Sequence, residues 1–398
     1  VRRDRDYAPA MDFELPDDTD PRRVAVRSWL ADNPSPSGRQ LAEAGYVAPH
    51  WPAPWGLDAD PMHQLIIDEE LSAAGVRRPM NPIGIGWAGP TIVHAGTDEQ
   101  KDRYLMPLLA GEELWCQLFS EPQAGSDLAN LGTRAVRDGD EYVINGQKIW
   151  TSLAQWARYG ILIARTDPDA PKHQGVSYFV CPMDLPGIEI RPIIEMTGGH
   201  TFNEVFFTDV RLPAENLVGT ENRGWGLAKV TLGNERVSLS SGGALWGNGP
   251  GAEDLLQLVR DRGGVTDPSL RQRLAQLHIE AQVLNLIRLR TISARIKGEP
   301  PGAEASIRKA MADEHGQHIM ELAKDLAGAA GMLNDVGPLG APADMWGHGF
   351  LFAPALTVGG GTSVVQRNII AERVLGLPHD IDVERGQSWT ESRRHGAA

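Results

Sequence analysis

From about residue 20 to residue 115, apolar side chains recur at i, i+3 and i+4. The stretches VAVRSWLADN, MHQLIIDEELSAAG and DEQKDRYLMPLLAGEEL therefore read as amphipathic helices. Thr97 suits an N-cap, with acids in the turn that follows, and Gly111 suits a stop. Pro and Gly clusters, HWPAPWG and MNPIGIGWAGP, separate these helices. From about 116 to 222 the period shortens. TRAVRDGDEYVINGQKIW reads as two β-rich runs with Asp-Gly and Asn-Gly turn signals. ARYGILIART, GVSYFVCPM, GIEIRPIIE and FNEVFFTDVRLP follow as short strands rich in β-branched and aromatic residues, which predicts a small barrel or sandwich. From about 223 helical periodicity returns in GLAKVTLGNERVSLSSGGAL, LRQRLAQLHIEAQVLNLIRLRTISARIKG, AEASIRKAMADEHGQHIMELAKDLAGAAG and SVVQRNIIAERVLGL, with VRDRGGVTDPS as a loop. There is no internal repeat and no long low-complexity linker. The expected organisation is α+β and multidomain: helical over 1–115, β over 116–222, helical again over 223–398.

Composition narrows the function classes. The chain has 398 residues, 41% of them hydrophobic, enough for two or three domains with sizeable cores. No run of about 18 apolar residues exists, so no membrane insertion is expected. The opening VRRDRDYAPAMDFELPDDTD lacks the apolar stretch of a secretory signal. Cys116 and Cys181 cannot make a disulfide framework and read as reduced core thiols, in keeping with a cytoplasmic protein. A formal charge of −14 disfavours nucleic acid and anionic membrane surfaces as partners. It leaves room for a phosphorylated ligand, which needs only local donors or helix N-termini. No CxxC, HExxH or clustered His/Asp spacing points to a metal. The two common nucleotide-binding signatures, GxGxxG after a strand and GxxxxGK[ST], are absent.

Residues 120–127, SEPQAGSD, set two carboxylates, Glu121 and Asp127, around a small flexible stretch rich in backbone N–H groups. Taken alone, this is a solvated turn. It stands, however, within a series of longer motifs. GTDEQKDRYLMPLLAGEE (96–113) runs into LWCQLFSEPQAGSDLANL. NGQKIWTS (145–152), NEVFFTDVRLPAENLVG (203–219) and GGTSVVQRNIIAERVLGLP (360–378) follow in order. From about residue 40 to 378 the chain resembles the acyl-CoA dehydrogenase family.

That resemblance implies an N-terminal helical domain, a middle β-domain and a C-terminal four-helix bundle. It implies FAD between the last two, partly covered by a neighbouring subunit, and a homo-tetramer or dimer of dimers. Phe119, Ser120 and Ser126 would contact the flavin or the CoA, where neutral amides and hydroxyls can bind without formal charge. Glu121 and Asp127 would hold the loop's shape by accepting backbone N–H bonds. Trp150 would lie against the flavin face. Ser152, where the family usually has threonine, would approach its reactive edge. Thr362 and Gln366 would contact the cofactor.

The family's reaction needs a carboxylate to remove the α-proton of a thioester. Many members carry a glutamate just before the Gly-Thr of the last motif. Here TVGGGTSVVQ places Gly360 there, and glycine cannot take a proton. Isovaleryl-CoA and long-chain acyl-CoA dehydrogenases carry the base on an earlier helix, in a Glu-Arg pair. LGNERVSLSSG (232–242) matches, with Glu235 as the base and Arg236 beside the substrate. Buried by a flavin and an acyl chain, Glu235 would have a raised pKa. The Gly360 N–H would still help bind the thioester carbonyl, and its missing side chain leaves room for a branched or steroid-like acyl group. The loop VRDRGGVTDPSLRQRLAQLH lacks the family's Phe, LAGAAGML replaces Gln-x-x-Gly-Gly, and Val364 replaces a frequent glutamine. Contacts to FAD across subunits are altered accordingly.

Three readings stand. The first is an FAD-dependent dehydrogenase that makes a trans-2-enoyl-CoA in fatty acid or sterol side-chain catabolism and passes electrons to an electron-transfer flavoprotein. The second is a catalytically silent partner in a heteromeric enzyme, as in assemblies with fewer flavins than subunits. The third is an acyl-CoA oxidase.

Overall fold

The computed structural model describes residues 16–239, 245–246, 249–296, 304–332, 345–381, 384 and 386–395. The stretch SSGGA and the loop after residue 332, which carry parts of the motifs above, lie outside the described residues. The chain divides into two compact units, the first made of 1–80, 109–111 and 289–301 and the second of the remainder.

In the first unit, α1 (Pro21–Asp32), α2 (Gly38–Glu43) and α3 (Pro61–Ala73) begin where the sequence supplies caps. Asp20 and Asp60 accept from first-turn amides, each followed by Pro, and Ser37 with Gln40 forms a capping box. Between α1 and α3 the buried Arg23 meets Glu70 at 2.5 Å and Glu69 at 2.9 Å, and Arg27 reaches Glu70 at 2.8 Å.

The second unit includes α4 (Gly89–Ala95) and most of α5 (Asp98–Ala110), whose last two residues count with the first unit. Thr97 Oγ1 accepts from the Gln100 amide at 3.2 Å, and Gly111 follows the helix at φ +71°, as the sequence suggested. The strands are β1 (Trp115–Leu118), β2 (Arg134–Asp138), β3 (Glu141–Ser152), β4 (Tyr159–Arg165), β5 (Val176–Pro182), β6 (Ile188–Pro192), β7 (Phe202–Pro213) and β8 (Leu217–Val218). They form one eight-stranded sheet in the order β6-β7-β3-β2-β4-β5-β8. β1 pairs parallel with the first half of β4, while β2 touches only the last residue of β4. β4 is buried along its whole length and β5 nearly so, which explains their near-continuous apolar sequences.

One turn signal was misleading. Asp138-Gly139 does lead a two-residue hairpin loop, closed by Asp138 opposite Glu141. Asn145-Gly146 does not turn. β3 runs through it and pairs on with β7, and the surplus residue of the bulge there lies on β7, between Phe207 and Val210, beside Gly146 at φ +156°. The β2–β3 turn has already reversed the chain, so β3 gains more by continuing its ladder.

The helices that follow are α6 (Gly224–Leu239), α7 (Ala252–Asp261), α8 (Pro268–Ile296), α9 (Glu304–Ala327), α10 (Met345–Phe352), α11 (Ser363–Ile369) and α12 (Trp389–His395). α7 takes up the start of the expected VRDRGGVTDPS loop. Its acidic first turn, Glu253 and Asp254, and its apolar run LLQLV carry the helical signal. Among the described residues, two apolar clusters lie in this unit. One lies in the sheet around Leu162, Phe179, Val205 and Phe207; the other lies among the helices around Leu255, Leu277, Met320 and Leu356. Cys116 and Cys181 are free and buried in the first. Burial pushes the Cys116 thiol well up and the Cys181 thiol up to about 12, so both are inert neutral core groups.

Candidate active site

The SEPQAGSD loop leaves the end of β1 and is pinned from below. Glu121 and Ala124 exchange two backbone hydrogen bonds, at 3.1 and 3.0 Å, closing a tight turn. The Glu121 carboxylate accepts from the Gly132 amide at 2.7 Å and the Thr133 amide at 2.9 Å. So Glu121 does shape the loop through backbone N–H groups. Asp127 does not share that task as expected: it lies exposed, 3.4 Å from Lys172 Nζ. A lysine is also within reach of Glu121, which the spacing in sequence hid. Lys148 Nζ, fully buried, stands 2.9 Å from Glu121 Oε1 and 2.9 Å from the Phe119 carbonyl. Burial would raise the Glu121 pKa, but Lys148 and the Gly132 amide outweigh it and hold the carboxyl below its usual range.

Lys148 belongs to NGQKIWTS, so the two motifs meet. The Ile149 amide donates to the Ser120 carbonyl at 2.9 Å. The next residue, Trp150, is at φ +59° within a second bulge of β3, and its side chain is 57% exposed. A left-handed, exposed tryptophan inside a strand is costly in both backbone strain and apolar exposure. Its indole meets Phe202 edge-on, ring centroids 6.1 Å apart. Ser152 is half-buried at the end of the same strand. Ser126 is exposed, beside Gly125, where an added Cβ would meet open space. The Phe119 ring, in contrast, is buried edge-on against Tyr178.

Glu235 is held by α6. A Cβ on Gly224 would lie 2.5 Å from the Ser177 carbonyl carbon, so glycine lets α6 start directly on β5. Two turns on, Thr231 Oγ1 hydrogen-bonds the Tyr178 hydroxyl at 3.0 Å and Thr91 Oγ1 at 2.8 Å. One further turn places Glu235, 8% exposed, with Oε2 accepting from Gln117 Nε2 of β1 at 3.3 Å. Gln117 lies two residues before Phe119, so Glu235 and the SEPQAGSD loop share one strand end. Burial raises the Glu235 pKa to about 6, against smaller opposing effects of Gln117, Arg236 and Lys309. Arg236 is half-buried, and burial lowers its pKa. Lys309 is itself buried, 2.6 Å from Asp313 and 3.3 Å from the Leu356 carbonyl.

Gly360 occupies a left-handed turn at φ +67°, followed by Gly361 at +88°. Gln366 Nε2 donates to both their carbonyls, at 3.0 and 3.2 Å. The Gln366 amide nitrogen and the Thr362 hydroxyl, which accepts from the Val365 amide at 3.2 Å, therefore first hold the turn and cap α11. Gln366 Oε1, Ser363 Oγ and Thr151 Oγ1 are buried with no hydrogen-bond partner among the described residues. Such orphaned polar atoms, together with the exposed Trp150, suit a large ligand with a flat aromatic part and many polar edges. An FAD fits that description. Sequence reasoning missed Lys148, Gln117 and Lys309. The signal available was a lysine at an inward position of a strand, two residues from Trp150.

Comparison with known proteins decides the family. Models for the acyl-CoA dehydrogenase N-terminal, middle and C-terminal domains match residues 23–112, 116–210 and 222–375. The chain belongs to the acyl-CoA dehydrogenase family. Its members are FAD-binding oxidoreductases. Over 338 residues it is 45% identical to acyl-CoA dehydrogenase FadE34 of Mycobacterium tuberculosis, covering 85% of this chain and 45% of that relative, so it spans about half of the relative's length. Among solved structures, the ChsE4-ChsE5 complex from Mycobacterium tuberculosis is 35% identical with a TM-score of 0.74, covering 93% of this chain and 100% of that one. The Tcur3481-Tcur3483 steroid ACAD is 30% identical, also at a TM-score of 0.74, over 93% and 100% of the two chains. The three-part architecture of helices, sheet and helices is that of the family. No helix among the described residues is long and apolar enough to cross a membrane.

Proposed function

We propose that this chain oxidises a saturated acyl-CoA to the trans-2-enoyl-CoA, with Glu235 as the base that removes the α-proton. The observation that carries the reading is Glu235 itself: a buried carboxylate on a helix, with a pKa raised to about 6, at the strand end that also bears the SEPQAGSD loop. A base of that pKa is ionised at neutral pH yet basic enough to take a proton in the transition state. Gln117 orients the carboxylate, and α6 keeps it from moving. When bound, FAD supplies the acceptor for the β-hydride. Trp150 offers a face for a flat ring, Ser120, Ser126 and Ser152 offer neutral donors, and Thr362 and Gln366 set the turn that presents the Gly360 N–H to the thioester carbonyl. Arg236 flanks the acyl-CoA. We assign a bulky, steroid-like acyl group, because Gly360 leaves space where many relatives carry a glutamate and because one similar structure is titled a steroid ACAD. An electron-transfer flavoprotein is the proposed acceptor.

The test is the visible spectrum of the purified chain, followed anaerobically while straight, branched and steroidal acyl-CoAs are added. Bleaching of flavin absorbance by one of them supports the reading and names the substrate class. A flavin that no acyl-CoA bleaches overturns it. A second reading, a silent subunit of a heteromeric enzyme, draws on Gly360 and on the similar ChsE4-ChsE5 complex. A colourless chain that gains flavin only with a second subunit favours it.

A further inference from the structure

The last described helix, α12, lies outside the stretch that the family models match, yet it packs against the SEPQAGSD loop. Its Trp389 ring is flanked by two guanidinium groups, Arg165 and Arg393, each 5.0 Å from the ring. Arg165 is almost fully buried and donates to three carbonyls: Ala129 at 2.6 Å, Leu131 at 3.3 Å and Lys172 at 2.9 Å. Ala129 and Leu131 directly follow the loop. Trp389 Nε1 donates to Asn130 O between them, at 3.4 Å. Arg393 reaches the loop itself, donating to Gln123 Oε1 at 3.1 Å. Backbone bonds from Trp389 to Ala170 (2.9 Å) and from Thr390 to Pro168 (3.1 Å) tie the helix to the β4–β5 connection. In that connection Lys172 bridges Glu384, at 2.8 Å, and Asp127, at 3.4 Å.

We propose that α12 is a positioning element for the SEPQAGSD loop, with Trp389 and Arg393 as its positioning residues. The loop's outer half has little of its own to hold it. Gly125, Ser126 and Asp127 are exposed, and a Cβ added at Gly125 would meet open space. Glu121 and Lys148 fix its first half from the sheet. α12 fixes the second half by covering the guanidinium that grips Ala129 and Leu131 and by holding Gln123 from outside. An aromatic face over a desolvated guanidinium attracts it and excludes water from its hydrogen bonds. The catalytic consequence rests on the reading that this loop lines the acyl-CoA and flavin site.

The test compares the full chain with Trp389→Ala, Trp389→Phe and Arg393→Gln. Amide hydrogen exchange is followed over residues 121–133, and kcat and KM are measured with an acyl-CoA that bleaches the flavin. Trp389→Ala is expected to speed exchange over 121–133 by roughly tenfold while β4 and β5 stay protected. It is expected to raise KM by roughly tenfold with kcat within about twofold, since binding geometry and not the base is disturbed. Arg393→Gln should show the same pattern more weakly, and Trp389→Phe should restore most of both values. Unchanged exchange over 121–133 in both Trp389→Ala and Arg393→Gln overturns the proposal. Loss of protection throughout β4 and β5 in both variants also overturns it, by making α12 a requirement of the fold. If no acyl-CoA bleaches the flavin, the proposed activity falls, and the exchange comparison alone still decides the role of α12.

Discussion

Two glutamates of the same unit, the partly buried Glu121 and the buried Glu235, have been pushed in opposite directions. Glu121 is surrounded by what a carboxylate needs: a buried ammonium at 2.9 Å and two backbone amides at 2.7 and 2.9 Å. Its pKa is held down, and it stays ionised as a fixed part of the structure. Glu235 meets the amide of Gln117 at a longer 3.3 Å, and burial dominates, raising its pKa to about 6. Burial alone therefore says nothing about role. The balance between desolvation and supplied partners separates a structural carboxylate from one able to exchange a proton.

The sharpest way to break this contrast is to replace one acid by its amide and to remove the counter-ion of the other. Glu235→Gln should slow flavin bleaching by roughly 10²–10⁴-fold, the usual contribution of a general base, while the thermal midpoint stays the same or rises. Stopped-flow absorbance and a melting curve read the two sides. Removing the counter-ion of the other acid should do the reverse. Lys148→Met leaves the partly buried Glu121 with its two backbone donors but no counter-ion, which costs about 1–3 kcal/mol of stability in denaturant titration. A stability loss below about 1 kcal/mol would show that Lys148 is not what holds Glu121.

A change of pH should separate the two without mutation. As the proposed base, Glu235 would act in its ionised form, so the bleaching rate should be level above about pH 6 and fall as pH drops through that value. Glu121, with its pKa lowered, contributes stability that is complete above the ordinary carboxylate pKa and lost only as pH falls through its own lower value. Near pH 5 the chain should thus be folded but slow. Loss of near-UV circular dichroism together with activity would contradict this. The smallest effect is expected for Gln117→Leu. Without the amide donor, the apparent pKa in the rate profile should move up by about half a unit to one unit, at most roughly tenfold in rate at pH 6.

Much of this was legible in the chain because it depends on local pattern. The helix start at Thr97 follows from a side chain that caps its own first turn; the same chemistry starts helices at Asp20, Ser37 and Asp60, none of them singled out from the sequence. Glu235 was singled out as a candidate because Gly360 lacks a carboxylate and a Glu-Arg pair stands earlier in the chain. What was not legible are partners brought together by the sheet. Lys148 lies 27 positions from Glu121, and Gln117 lies 118 positions from Glu235. Asn145-Gly146 misled for the same reason. Its local preference is a turn, but pairing along β7 over both sides of Gly146 prevails. α12 carried no legible role at all, since its meaning comes from Arg165 and Gln123, distant in sequence.

The turn at Gly360 separates two tasks that a glutamate at that position would combine. With the proposed base, Glu235, carried on α6, the segment from Val358 to Gly361 can vary without replacing the group that would take the proton. On that reading, variation there bears on acyl-chain scope. A library confined to those few positions, screened in the background of an intact Glu235, is a direct route to retuning which thioesters the scaffold accepts.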